Sequence, residues 1–177
     1  SPRPIALVSS LDREGVSNLA PFSFFNAFGA NPPIVGFSPA LSGRTGLPKD
    51  TLLNIKEMKE FTISIVNSYM VEQISLSSCE FDRNTDEFIK SGLTKIESKK
   101  IKPYGVLESH FIMECKLYDI IELGSKPASG NLILGEVIHF HVAESILNDN
   151  NQIDPYKLDP IARNGGNWYT EAKKGLF

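Results

Sequence analysis

Alternating apolar and polar positions predict β-strands along most of this chain. Between Phe61 and Val66, apolar residues alternate with Thr and Ser, which is typical of a strand with one buried face. Similar runs bounded by turn residues predict further strands at Ile5–Ser9, Val16–Asn26, Ile34–Ser38, Val106–Glu122 and Leu132–Ser145. A set of about five or six strands with short connections predicts an antiparallel barrel.

Helical spacing predicts three short helices beside these strands. The first covers Asp50–Lys59, where Asp50 is in position to cap the N-terminus. A weaker pattern predicts a second helix over Val71–Phe81. The acidic turn Thr85–Glu87 would begin a third helix, which Gly92 would end. We expect these helices to cover the ends or sides of the barrel.

Cations and hydroxyl groups are concentrated just before the first predicted helix. Arg44 and Thr45 precede Lys49, Asp50 and Thr51 within eight positions. A cation beside helix-terminal N–H groups can bind a phosphate, although a helix start with a nearby surface lysine is the simpler alternative. The patterns GxxxxGK[ST] and GxGxxG are absent, which disfavours a nucleoside triphosphate site or a Rossmann site.

An aromatic run follows the first predicted turn. An extended backbone would place Phe22, Phe24 and Asn26 on one face of the strand. Ser23 and Phe25 would lie on the other face. Aromatic residues at this spacing usually form core, but a buried hydroxyl or amide without a partner costs about 1–3 kcal/mol. A ligand edge could supply the missing hydrogen bonds.

The three histidines predict no metal site. His139 and His141 would lie on the same side of a strand, but a tight site normally needs three or four ligands. His110 is expected in another strand, and no Cys or acidic cluster clearly completes a site. We therefore predict structural histidines and no stoichiometric metal.

Hydrolase chemistry has little support either, because the sequence contains no GxSxG nucleophile motif.

Composition narrows the class of protein further. The chain has 177 residues, which is the length expected of one domain, 1–177, with termini that we expect to be truncated. Its net charge of −3 argues against nucleic acid or an anionic membrane as a partner. Two widely separated cysteines, Cys79 and Cys115, fit a reduced cytoplasmic protein better than a secreted one.

In the order of its motifs, the sequence resembles the flavin reductase-like proteins of the FMN-binding split-barrel superfamily. The motifs that carry the resemblance are Pro2–Ser10, Asn18–Phe25, Pro32-Pro33 with Gly36–Ser38, Lys49-Asp50-Thr51 with Asn54-Ile55, Glu108-Ser109, Glu114–Leu117, Gly135–Val137, His141 and Arg163-x-Gly165-Gly166-x-x-Tyr169. Leu7 departs from the pattern, because many members have Trp there.

The resemblance implies a mainly β, six-stranded antiparallel split barrel with a few flanking helices, which binds FMN near a homodimer interface. Ser23, Phe24, Phe25 and Asn26 would line the isoalloxazine ring. Ser38, Lys49, Asp50 and Thr51 would reach the ribityl-phosphate end, with Arg44 as an addition. Arg163 and Tyr169 would contribute from the C-terminal arm. The flavin carries the redox chemistry, so no catalytic acid or base is assigned.

Three hypotheses for the function follow. The leading hypothesis is an FMN-dependent oxidoreductase that takes hydride from NAD(P)H and serves a small-molecule or protein acceptor. The second is an FMN-binding electron carrier that a protein partner reduces. The third is a barrel that binds a small ligand without redox chemistry.

Overall fold

A seven-stranded antiparallel sheet is the largest sheet of the protein, and the computed structural model describes residues 1–172 of the chain. The strands in these residues are β1 (Arg3–Pro4), β2 (Ala6–Leu11), β3 (Ser17–Phe22), β4 (Phe25–Ala30), β5 (Pro33–Phe37), β6 (Glu60–Ile65), β7 (Lys95–Ile96), β8 (Gly105–Val106), β9 (Phe111–Glu122), β10 (Asn131–Val142), β11 (Ile161–Gly165) and β12 (Trp168–Glu171). The helices are α1 (Asp50–Met58), α2 (Val71–Ser77), α3 (Glu87–Ser91) and α4 (Pro155–Leu158). Short 3₁₀ turns cover Ser68–Met70 and Glu144–Ile146.

Seven of the strands described in residues 1–172 form one sheet in the order β3-β2-β6-β9-β10-β5-β4. Every pairing in this sheet is antiparallel. The edge strands β3 and β4 are consecutive in the chain and are separated by Ser23 and Phe24 alone, so the two edges of the sheet meet at this point. β1, β11 and β12 form a small second sheet.

Two hydrophobic clusters lie on the two faces of this sheet. The first contains Phe37, Phe61 and Val137, together with Leu52 and Ile55 of α1. This cluster requires a glycine in β10, because a Cβ atom at position 135 would lie 2.4 Å from the Phe61 ring. The second cluster joins the outer face of β2 and β3 to α2 and α3 through Leu7, Leu19, Ile74 and Phe88. It therefore fixes the ends of α2 and α3 beside the end of β3.

The predicted strand Val16–Asn26 is in fact two strands. The chain bends at Ser23 and Phe24, so the expected alternation of faces through Asn26 is wrong. This division explains why the large sheet has seven strands instead of six. The predicted strand Val106–Glu122 is also shorter, because His110 lies in the turn that precedes β9.

The helix predictions are closer to the observed structure. Asp86 caps α3 by accepting a hydrogen bond from the N–H of Phe88, and Gly92 ends the helix with a left-handed conformation, φ 70°. The predicted cap of α1 is wrong, because Lys49 occupies the N-cap position and Asp50 is the first helical residue. Within residues 1–172, no helix combines the length and apolar character needed to cross a membrane.

Candidate functional site

A cavity of about 300 Å³ lies where β3, the loop before α1 and the ends of α2 and α3 meet, and we call it the α1 cavity. Three predicted phosphate-side residues line it, namely Lys49, Asp50 and Thr51. Hydroxyl groups lie around it on Ser42, Thr45, Ser77 and Ser78. The cavity thus collects hydroxyl donors and a cation around the N-terminus of one helix.

Among residues 1–172, no side chain caps the N-terminus of α1. Lys49 makes no capping hydrogen bond, so the first-turn N–H groups have no side-chain acceptor at the cap position. The Thr51 hydroxyl instead donates to Asn18 Oδ1 at 2.6 Å, and Asp50 pairs with Arg83 at 2.7 Å. Uncapped N–H groups beside a cation are a favourable environment for an anion.

Glu80 holds both predicted cations at the edge of this cavity. Lys49 Nζ lies 3.4 Å from Glu80 Oε1, and the guanidinium of Arg44 pairs closely with Glu80 Oε2. The hydrogen bond and charge of Arg44, and to a smaller extent those of Lys49, lower the pKa of Glu80, so its carboxylate is charged at neutral pH. An anion that binds Lys49 would therefore compete with Glu80.

Glu87 is a second carboxyl group in the α1 cavity. It was predicted in the acidic first turn of a helix, but its side chain is buried against β3. Its oxygens accept hydrogen bonds from Asn18 Nδ2 at 2.8 Å and from the N–H of Leu19 at 3.1 Å. Burial raises the pKa of Glu87 despite these bonds. Glu87 therefore fixes Asn18, which in turn accepts from Thr51.

A second cavity, of about 260 Å³, contains two of the predicted C-terminal residues, and we call it the arginine cavity. Arg3, Ser23, Arg163 and Tyr169 line it. The Ser23 hydroxyl accepts a hydrogen bond from Arg3 Nε at 3.2 Å, and Arg163 Nη1 donates to the Tyr169 hydroxyl at 2.5 Å. Pro21 and Ser78 line both cavities, so the arginine cavity adjoins the α1 cavity.

The remaining predicted ring-side residues lie outside the walls of these two cavities, and so do Ser38 and Arg44, which were predicted at the phosphate end. Phe24 is 63% exposed, with its ring 5.4 Å from the guanidinium carbon of Arg3. Phe25 packs against the first hydrophobic cluster. Asn26 is exposed and accepts from the neighbouring N–H of Ala27, whereas Ser38 Oγ accepts from the N–H of Asn131 at 3.1 Å.

Four neighbours of the predicted site were not predicted from the sequence, namely Arg3, Asn18, Glu80 and Glu87. Arg3 and Asn18 both lie within quoted family motifs, so a signal was present for them. Nothing in the local sequence around Glu80 or Glu87 distinguishes these residues from ordinary acidic surface residues. Their positions depend on the packing of α2 and α3 against β3.

The histidine pair has an acidic neighbour that the sequence did not reveal. Glu114 lies with His139 and His141 so that one ligand-type atom from each is within 4.8 Å of the others, and the expectation that no acidic residue completes the group is wrong. The buried Glu114 carboxylate also accepts from the N–H groups of Lys99 and Lys100, both at 2.7 Å, and from His141 Nε2 at 2.5 Å. These hydrogen bonds give Glu114 a structural role. The absence of a bound metal stays a prediction.

Comparison with known proteins identifies the family. The sequence profile of the flavin reductase like domain matches residues 1–157, so the chain belongs to this family. The structure is similar to nitrilotriacetate monooxygenase component B from Bacillus cereus, with 36% identity and a TM-score of 0.92 over 100% of this chain and 87% of that one.

Two further solved structures are similar over nearly the whole chain. One is 2-nitrobenzoate 2-nitroreductase from Pseudomonas fluorescens, with 29% identity and a TM-score of 0.88 over 100% of this chain and 84% of that one. The other is flavoredoxin from Desulfovibrio vulgaris, with 26% identity and a TM-score of 0.84 over 99% of this chain and 90% of that one. The predicted family and the mainly β split-barrel fold are confirmed, and the family supports a flavin cofactor and oxidoreductase activity.

Proposed function

We propose that this protein is an FMN-dependent oxidoreductase that takes hydride from NADH or NADPH and delivers electrons to a small-molecule or protein acceptor. The observation that carries the proposal is the uncapped N-terminus of α1 beside Lys49, inside a cavity of about 300 Å³. A phosphate-bearing flavin matches this arrangement, because the N–H groups and the cation provide for the phosphate. Membership of the flavin reductase-like family supports the same assignment.

The residues around the α1 cavity fit FMN better than a larger phosphate chain. Lys49 supplies one cation with a 41% exposed side chain, and Ser42 and Thr45 add hydroxyl groups nearby. Asp50 does not oppose an anion with its full charge, because Arg83 pairs with it at 2.7 Å. Two further carboxyl groups line the cavity. Glu80 lies at the exposed edge, where an ion pair contributes little. Glu87 is buried, and its oxygens accept hydrogen bonds from Asn18 and Leu19.

FMN, when bound, would supply the hydride-accepting and electron-transferring chemistry. The chain would bind and orient it. Lys49 and Thr51 would hold the phosphate end, while Ser23 and Phe24, beside the adjoining arginine cavity, would lie at the ring end. No residue is assigned as a proton donor, since hydride transfer to a flavin needs none from the protein.

We further propose that the active form is a homodimer in the cytoplasm. Phe24 and Asn26, both proposed to line the flavin ring, are exposed in the single chain, and a second copy would exclude water from them. The unpaired thiols of Cys79 and Cys115 support a reducing compartment.

The alternative is an FMN-binding electron carrier that a protein partner reduces. Similarity to flavoredoxin, at 26% identity, favours this alternative. The two functions share the FMN site and differ in the source of electrons. A non-redox barrel receives no support from membership of this family.

Anaerobic titration of the purified protein tests the proposal. We expect FMN to bind and NADH or NADPH to bleach its absorbance without any added protein. A protein that binds FMN but is bleached only when a reduced partner protein is added would be an electron carrier. A protein that binds no flavin would contradict both functions.

A further inference from the structure

Two arginines lie directly opposite each other in the small sheet. Arg3 of β1 and Arg163 of β11 are cross-strand partners, and both line the arginine cavity. Like charges at directly opposite positions destabilise a sheet unless another group compensates for their repulsion. The lining of this cavity includes no Asp or Glu, and among residues 1–172 neither arginine forms a salt bridge.

The simplest alternative is that both arginines are structural. Arg163 does bond to neutral groups of its own hairpin, namely the Tyr169 hydroxyl and the carbonyl of Gly166. Arg3 donates from Nε to Ser23. Such bonds orient a guanidinium but leave its positive charge without a counter-charge. Within residues 1–172, the two terminal nitrogens of Arg3 donate no hydrogen bond, so they remain free for a ligand.

Aromatic rings also restrict both guanidinium groups. The guanidinium carbon of Arg163 lies 4.7 Å from the centre of the Tyr169 ring, and that of Arg3 lies 5.4 Å from the centre of the Phe24 ring. Contacts of this kind orient the planar donors before a ligand arrives. Two oriented guanidinium groups in one cavity match a phosphate or a carboxylate, because a guanidinium group can bind either anion through two parallel hydrogen bonds.

We propose that Arg3 and Arg163 form an oxyanion subsite for the substrate that exchanges electrons with the flavin. This inference rests on the proposed function, in which the FMN phosphate occupies the α1 cavity at Lys49. The arginine cavity adjoins the α1 cavity through Pro21 and Ser78, so a substrate anchored there would lie beside the flavin. The oxyanion comes either from a phosphate of the nicotinamide dinucleotide or from a carboxylate of an organic acceptor.

Arg3→Gln tests the subsite in the full chain loaded with FMN. The variant keeps a hydrogen-bonding side chain but removes the charge, and Arg3→Lys restores the charge. Anaerobic reduction is measured with NADH, with NADPH and with 1-benzyl-1,4-dihydronicotinamide, which has no phosphate. If the oxyanion is a dinucleotide phosphate, KM for NADH or NADPH rises about tenfold or more, because a charge-assisted hydrogen bond is lost. The rate with the neutral reductant stays unchanged, and Arg3→Lys recovers part of the loss.

A second arm identifies a carboxylate source. Benzoate and the neutral benzamide are compared as competitors of reduction in the wild type and in Arg3→Gln. Selective loss of inhibition by benzoate, with KM for both dinucleotides unchanged, assigns the subsite to an acceptor carboxylate and supports the proposal. Arg13→Gln is the control, because Arg13 is an exposed arginine paired with Glu57 and lines neither cavity.

Three results would overturn the subsite. The first is equal loss of activity with the dinucleotides and with the neutral reductant, which indicates a structural role. The second is weaker FMN binding in Arg3→Gln, which assigns the pair to the flavin. The third is no change in either arm. Failure of the proposed function would be seen separately, because neither NADH nor NADPH would then reduce the flavin of the wild-type protein. Equilibrium binding of NADP⁺ and benzoate to wild type and Arg3→Gln then still tests the subsite without turnover.

Discussion

Lys49 is the residue on which the proposed phosphate site depends most. It lies at the N-cap of α1, lines the α1 cavity and forms its described ion pair with an exposed carboxylate, Glu80. An ion pair of this kind, between exposed groups, is screened by water and is easily exchanged for another anion. A bound phosphate would gain the helix N-terminus as well as the lysine.

We predict that Lys49→Ala weakens FMN binding about tenfold or more, because the variant loses a charge-assisted contact with the phosphate. Lys56→Ala is the matched control. Lys56 lies on the same helix, is similarly exposed at 43% and pairs with Glu122, but it does not line the α1 cavity. Fluorescence titration with FMN measures both variants. Equal affinity of Lys49→Ala and Lys56→Ala for FMN, with both proteins folded, would remove Lys49 from the site.

Individual site residues were predictable from the sequence only where the signal is local. The cations and hydroxyl groups before α1 are consecutive in the chain, so their grouping at Lys49 needed no tertiary information. Glu87 illustrates the opposite case. Its local pattern is that of an exposed first-turn carboxylate, and only the packing of Phe88 into the second hydrophobic cluster buries it against Asn18. Arg3 and Arg163 are 160 positions apart and meet only through strand pairing.

Among the elements, the start and end of α3 were predicted better than the point at which a strand is interrupted. α3 begins after Asp86 and stops at Gly92 as expected, because capping depends on neighbouring residues. The strand through Ser23 and Phe24 was predicted as continuous, since its apolar pattern does not break there. The bend joins β3 and β4, which are the two edge strands of the sheet, and the positions of the two edges are a property of the whole sheet.

Glu114 connects three separate elements of the fold. From β9 it accepts hydrogen bonds from the N–H groups of Lys99 and Lys100 and from His141 of β10. Burial alone would raise the pKa of Glu114, but the hydrogen bonds from Lys99, His141 and Lys100 together outweigh it and lower the pKa. The charged carboxylate therefore stabilises the folded state.

We predict that Glu114→Gln lowers the free energy of unfolding at pH 7 by about 1–3 kcal/mol, because a neutral amide cannot accept all three bonds. A lowered folded-state pKa means that the contribution is fully present above the ordinary Glu pKa of about 4.3. It is lost as the pH falls through the folded-state pKa. The difference between wild type and variant should therefore shrink in acid, as measured by urea unfolding across the pH range.

Glu122→Gln is the control for this prediction. Glu122 lies on the same strand and its pKa is also lowered, by the hydrogen bond and the charge of Lys56, but its carboxylate is exposed. We expect little change in unfolding for this variant at any pH. A Glu114→Gln difference that stays constant from neutral pH into acid would show that shape, and not charge, is what the site requires.

At the scale of the whole molecule, β4 is the part of the sheet with the least cover from its own chain. It is an edge strand, and residues 26–30 are all exposed, including Phe28 at 59%. An exposed edge with aromatic side chains normally receives cover from another surface. Phe24, proposed to lie against the flavin ring, precedes β4 directly, so a second copy seated on this edge would cover the strand and the ring together.

We therefore predict a homodimer that buries β4, and Phe28→Glu tests it. A charge in place of a buried phenyl ring should raise the dimer dissociation constant about tenfold or more, since burial of such a side chain contributes about 1.5–3 kcal/mol. Ile89→Glu is the control, because Ile89 is an apolar surface residue, 78% exposed, on α3, which packs against α2 and β3. Sedimentation velocity over a concentration series measures both variants, each loaded with FMN. A flavin-bound wild type that remains a monomer, or dissociation that increases equally in both variants, would contradict an interface at β4.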